Sequence, residues 1–372
     1  MKLHAVALAF LAAALAAAAP AGNELCLTCH DKGPTFDASI HGVIGCTDCH
    51  VGYKAFPHAD NPPPVNCAGC HAAAATAVAS SVHAHAGKLP CLNCHGSDPH
   101  AIVAVSDSKS PMFTLNIPAT CGQCHGNTKA GKDLGLKDVY SKYAGSIHAF
   151  GLTKNGLTVS AQCVSCHGSH GILKSGDPKS MVNRANVPDT CGNCHKGIKD
   201  PYLAGIHGAK FTAGNTAAPV CITCHNAHDI ADVNTGAWQA AETSRCGQCH
   251  AGRFNTYHDT FHSQVSQLGY AKVARCWSCH GEHAILPTSD PKSMVNPANL
   301  VKTCSQCHEG ANAGFVKYEP HADMHDRKAS PVLYASAMGM NFLLIGTLGF
   351  FALHTILWFI RSIAESKEHR KP

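Results

Sequence analysis

Large apolar side chains and charges are both in short supply in this chain of 372 residues, where charged residues make up 14% and aromatic residues 6%. Leu, Ile and Phe are thin, while Ala and Gly are plentiful. A chain of this length normally encloses a large hydrocarbon core. Here something other than side chains must fill the interior. No basic run interleaved with aromatics occurs either, so the formal net charge of +5 carries no nucleic-acid reading and no nucleic-acid partner is expected. What the chain has in excess is 22 cysteines and 28 histidines.

The N-terminus bears on the compartment in which those cysteines work. Lys2 is the one charge before an apolar run from Ala5 to Ala19, and Ala19-Pro20-Ala21 ends it in a small-x-small pattern. The run is short for a bilayer span, and it reads as an export signal over 1–21 that is removed near Gly22.

Every cysteine falls in a C-x-x-C-H motif. The motifs are Cys26-Cys29-His30, Cys46-Cys49-His50, Cys67-Cys70-His71, Cys91-Cys94-His95, Cys121-Cys124-His125 and Cys163-Cys166-His167. They continue as Cys191-Cys194-His195, Cys221-Cys224-His225, Cys246-Cys249-His250, Cys276-Cys279-His280 and Cys304-Cys307-His308. Eleven motifs use all 22 cysteines and leave none for disulfides. Two cysteines three positions apart share one side of a helical turn, where both sulfurs can add to the vinyl groups of one haem. The next residue then points its imidazole at the iron as proximal ligand. Structural zinc has no need of a histidine directly after the second cysteine, and eleven chance placements have a probability of order ~10⁻¹².

The motifs therefore imply eleven covalently bound haem c groups at about 34 residues each. Porphyrins supply the missing interior and the polypeptide wraps them. Propionates and ferric centres together would bring the net charge to about −6 when oxidised. The fold expected is mainly α with extensive irregular coil and almost no sheet, built from two-haem repeats, with one haem-bearing domain over 22–330.

A longer repeat supports this reading. Asp177-Pro178-Lys179-Ser180-Met181-Val182-Asn183 matches Asp290-Pro291-Lys292-Ser293-Met294-Val295-Asn296, each beginning fourteen residues before a motif. A weaker copy starts at Asp107. Met181 and Met294 read as packing residues.

Histidines outside the motifs follow the same frame and are the candidate second ligands. His41, His83, His207 and His262 lie 11 or 12 residues after a motif histidine. His148 lies 23 after His125, so an insertion of about one helix is expected between them. His170, His228 and His283 each follow a motif histidine by three, with His100 and His58 in the same slot at five and eight. His321 fills the place after the last motif with better spacing than His325. His85, His258, His354 and His369 are spare, and His4 leaves with the signal. Spacing does not pair these histidines with particular haems. Two imidazoles per iron would leave no open face and keep potentials low.

From Val332 to Ile360 no Asp, Glu, Lys or Arg occurs. That length suffices to cross a bilayer with tilt, giving a span over 331–361 that ends at Arg361 and a cytoplasmic tail over 362–372 with Lys367, Arg370 and Lys371 against Glu365 and Glu368. His354 lies inside the span. It could ligate a b-type haem of a partner, line a quinol site, or hydrogen-bond another helix. Gly339, Gly346 and Gly349 would permit close helix approach, and Trp358 reads as an interfacial anchor.

The motifs, the Cys-His-Gly-x-His runs at 167–170 and 280–283, and the Asp-Pro-Lys-Ser-Met-Val repeats resemble the multihaem c-type cytochromes of anaerobic respiratory chains over about residues 22–325. The single C-terminal span is similar to that of membrane-anchored cytochrome c subunits of menaquinol oxidoreductase complexes. The resemblance implies a membrane cytochrome b or quinol-oxidising partner, other c-type cytochromes as redox partners, an inner-membrane location and a periplasmic haem domain. The chain departs from the anchored tetrahaem quinol dehydrogenases in anchor position and haem count. Electron transfer is the first expectation, as a subunit of an oxidoreductase complex more than as a stand-alone enzyme. An oxidoreductase acting on nitrite, hydroxylamine or sulfur oxyanions is the second, although no C-x-x-C-K motif is present. A filament-forming haem conductor is the third.

Overall fold

The computed structural model describes residues 22–53, 57–58, 65–87, 89–270 and 272–368. The expected signal segment, His369, Arg370 and Lys371 lie outside the described residues. Those described form twenty α-helices and three 3₁₀ turns with no β-strand. Most helices run four to nine residues, the range in which an isolated helix is unstable in water. Caps and long-range side-chain bonds hold them.

The attachment motifs are single turns. Backbone N–H groups of His30, His50, His71, His95, His195, His250 and His308 donate to the carbonyl of the first cysteine of their own motif at 2.9–3.0 Å. The second, sixth, eighth and tenth motifs gain a cap from the second residue between their cysteines. Asp48, Ser165, Thr223 and Ser278 accept from the backbone N–H of the residue just before the first cysteine at 2.7–3.1 Å. Such bonds satisfy donors that a helix start otherwise leaves open.

The Asp-Pro-Lys-Ser-Met repeat is a clasp for odd-numbered motifs. Asn186 Nδ2 donates to the carbonyls of Pro178 and Ser180, both at 2.8 Å, and Thr190 Oγ1 donates to Met181 O at 2.6 Å. Asn299 and Thr303 repeat this on Pro291, Ser293 and Met294, and Asn116 and Thr120 on Ser108, Ser110 and Pro111. In each copy the threonine is next to the first cysteine of a motif, so the clasp fixes where that motif begins. Ser110, Ser180 and Ser293 sit beneath it and are fully buried. Asn186→Ala strips both carbonyls of their donor. It should cost about 1–3 kcal/mol, read as a lower denaturation midpoint of the haem-loaded protein; an unchanged midpoint would show that the clasp is dispensable.

A second recurring bond is a stitch between distant segments. Backbone N–H groups of Ile40, Val82, Ile147 and Ile206 donate to the carbonyls of Ile102, Ile172, Ile230 and Ile285 at 2.7–2.8 Å. Each donor immediately precedes a histidine of the first class, and each acceptor lies two residues after one of the second class. The chain turns there through left-handed residues directly after the motif histidines, Gly168 (φ 76°), Asn226 (φ 63°) and Gly281 (φ 83°). Glycine meets that geometry without strain.

Hydrocarbon contributes little to the interior. Among the described residues the largest fully buried side chains are Leu152, Ser110 and Ser293. The chain divides into two compact units. The first is Met1–Asp200 with Ala217–Asp232, and the second is Pro201–Thr216 with Val233–Pro372. Between His125 and His148 the structure places two short helices, Lys129–Asp133 and Tyr140–Ala144, where the spacing predicts one. Pro331–Glu368 forms one helix of 38 residues, exposed along its length and long and apolar enough to cross a membrane. It continues past the apolar stretch, where Arg361 Nε bonds Glu365 Oε1 at 2.7 Å one turn on.

Candidate haem sites

Ten pairs of imidazole rings face one another at nearly constant separation. In the first unit His30 lies 5.8 Å from His58, centroid to centroid, His71 6.0 Å from His41, and His50 6.1 Å from His100. His125 is 6.2 Å from His83, His95 6.1 Å from His170, His195 6.1 Å from His148, and His167 6.0 Å from His228. In the second unit His250 is 6.2 Å from His207, His308 5.9 Å from His262, and His280 6.2 Å from His321. Each pair joins one motif histidine to one candidate second ligand.

The separation has a physical meaning. Metal–imidazole bonds of about 2.0 Å on both sides of one atom put ring centres about 6.2 Å apart. Rings in contact by stacking alone would sit closer or slide past each other. The residues present thus fit a metal held between two imidazoles.

The pairing obeys a rule that spacing alone does not contain. Motifs three, five, seven, nine and eleven face the first-class histidine that follows the motif two places earlier. Motifs two, four and six face the second-class histidine that follows the motif two places later. The ends differ. His30 faces His58 from beside the second motif, and His280 faces His321. His321, the candidate that follows the last motif, faces His280 of the tenth, and His262 faces His308. His325 lies outside the pairs. His225 belongs to the first unit and His283 to the second.

Burial is the leading influence on these rings. It pushes His50, His83, His95, His148, His167, His207, His262 and His280 below the usual histidine pKa, and the facing ring adds to the effect. His228 and His321 are lowered by burial and then by the charges of Lys142 and Arg253. The neutral imidazole is the form that binds metal.

The cysteines show the order of the motifs in space. First cysteines of consecutive motifs are neighbours in the pairs Cys26 and Cys46, Cys67 and Cys91, Cys121 and Cys163, Cys191 and Cys221, and Cys246 and Cys276. Second cysteines lie within electrostatic reach of the next motif, Cys49 of Cys70, Cys94 of Cys124, Cys166 of Cys194 and Cys279 of Cys307. Motifs one to eight in the first unit, and nine to eleven in the second, therefore follow one another in chain order. Tyr143 and Tyr257, each five residues before a first-class histidine, donate their hydroxyls to Ala161 and Ala274 at 3.0 and 2.9 Å. Those alanines lie two residues before even-numbered motifs. Burial first, then the neighbouring cysteines, pushes both phenols up to about 12. The tyrosines, the clasp and the stitch went unread in the sequence, although the recurrent Tyr before the histidine and Ile on either side of the stitch were there to be found.

Among the described residues no three His, Cys, Asp or Glu side chains gather as a metal site. Cysteine turns in series, each with its own axial histidine and a second ring across from it, define the class: the chain is a multihaem c-type cytochrome, and haem c is bound through its C-x-x-C-H motifs. The family model for the doubled CXXCH motif matches residues 157–200, the sixth and seventh motifs. The chain is 23% identical over 197 residues to the multiheme cytochrome MtrA of Shewanella baltica, covering 51% of this chain and 52% of that protein. It is 25% identical over 143 residues to the cytochrome c-type protein NrfB of Escherichia coli O6:H1, covering 36% of this chain and 72% of that protein. The chain thus spans about half the length of MtrA. No solved structure matches.

Proposed function

We propose that the chain carries eleven haems c, each closed by two imidazoles, and passes electrons along them in chain order between a quinol-oxidising cytochrome b partner in the inner membrane and acceptors in the periplasm or outer membrane. Covalent haem supplies a one-electron ferric–ferrous couple. The ten facing ring pairs carry the ligation reading. The motif histidine is fixed by the turn of its own C-x-x-C-H, and the second by a segment docked through the Ile–Ile stitch. Two imidazoles would hold each haem from both sides, leaving no face for substrate or oxygen and keeping the site rigid as it takes up an electron. Tunnelling falls exponentially with distance, so the cysteine-to-cysteine approaches between consecutive motifs are what make the series conduct.

The helix over Pro331–Glu368 would hold the chain in the inner membrane, with the haem-bearing residues in the periplasm after removal of 1–21. His354 within it would meet a polar group of the partner. Electron paramagnetic resonance of the oxidised, detergent-solubilised protein tests the ligation. Low-spin ferric signals should account for essentially all the iron, and a substantial high-spin signal with ligand binding to ferric iron would overturn it. Co-purification from solubilised membranes tests the partner: a b-type haem should accompany the chain, and isolation without one would remove the quinol donor.

A further inference from the structure

The imidazoles of the second pair are unequal. His100 Nδ1 lies 3.1 Å from Asp98 Oδ1, and the same oxygen accepts the His100 backbone N–H at 2.9 Å. Asp98 is the N-cap of the 3₁₀ turn Pro99–Ala101, with Pro99 fixing the step between carboxylate and histidine. On its other side Lys32 Nζ stands 3.8 Å from Asp98 Oδ2. Because an ionised carboxylate only accepts, the Nδ1 proton must sit on His100, leaving Nε2 as the ligand. Across the pair, 6.1 Å away and 14° from parallel, His50 has its buried Nδ1 without a hydrogen-bond partner. His321 offers the comparison: its Nδ1 lies 3.0 Å from the neutral hydroxyl of Thr256.

A carboxylate accepting the Nδ1 proton makes the far nitrogen a more basic ligand. Greater basicity favours ferric over ferrous iron, so second-shell hydrogen bonding lowers a haem potential. On the ligation reading above, we infer that Asp98 is a positioning residue that holds the haem of Cys46 and Cys49 at a more negative potential than a neutral hydrogen-bond acceptor would. The couple involved takes one electron, Fe(III) becoming Fe(II), with no bond made or broken and the Nδ1 proton staying on His100.

The test is a redox titration of the full-length, haem-loaded protein in detergent, followed by visible and paramagnetic resonance spectra, with an electrode supplying the electrons. Asp98→Asn keeps an oxygen for both N–H groups and removes only the charge. It should move one step positive by about tenfold in its equilibrium constant, about 59 mV for one electron, with all iron still low-spin. Thr256→Val, the neutral comparison, should move its step by less. His100→Ala should convert one iron to high spin. If Asp98→Asn and Asp98→Ala both titrate like the parent while His100→Ala opens one iron, the tuning role is wrong and the ligation stands. If His100→Ala leaves every iron low-spin, the ligation reading for His50 fails, and the tuning role with it.

Discussion

Replacing Cys121 and Cys124 together by alanine should remove one haem and divide the series into two poorly communicating parts. The fifth motif lies between the fourth and sixth: Cys94 is within electrostatic reach of Cys121 and Cys124, and Cys121 neighbours Cys163. Without it an electron must cross the space a porphyrin occupied. Exponential decay with distance makes that crossing slower by orders of magnitude. The variant's purified mass should fall by one haem, while the other motifs, each closed by its own turn, retain theirs. In protein-film voltammetry the parent should exchange the same charge at slow and fast scan rates. The variant should match only at slow scan and lose charge at fast scan as one part falls out of step. Equal charge at both rates would show that electrons bypass the fifth site and that conduction is not serial.

Ending the chain after Ala329 should move it from the membrane fraction to the soluble fraction without detergent, while its haem spectrum stays that of the parent. The helix Pro331–Glu368 lies exposed along its length. It holds 29 consecutive residues from Val332 to Ile360 without Asp, Glu, Lys or Arg. A run of that length fills a hydrocarbon core of about 30 Å. No ring of the ten pairs belongs to it, so its loss should leave haem binding unchanged. Retention of the truncated chain in washed membranes would place the anchor elsewhere. A lost haem spectrum would mean that the helix supports the folded haem-bearing part.

Much of the site was legible because chemistry imposes local spacing. Thioether attachment demands two cysteines and a histidine within one turn, and that demand appears as C-x-x-C-H wherever it operates. The second class of histidine is local too, since a left-handed residue such as Gly168 or Gly281 turns the chain to present His170 or His283 just beyond the motif. The partner of each histidine was not legible. His95 and His170 are 75 residues apart, and what brings such segments together is a backbone bond, Val82 to Ile172, whose donor and acceptor can be any non-proline residue. The same limit applies to His321, whose place after the last motif does not reveal that its ring faces His280 of the tenth. The helical, strand-free fold was legible from the shortage of core-forming residues. The number of helices in the 126–147 insertion was not, because Thr128 and Asp138 each supply local hydrogen bonds that break the segment into two.

The most direct measurement is the intact mass of the purified, mature chain alongside its iron content. The account requires a mass above that of the bare polypeptide by eleven haem groups that survive denaturation, with eleven irons per chain. A mass matching the amino acids alone, or zinc in place of iron, would contradict it.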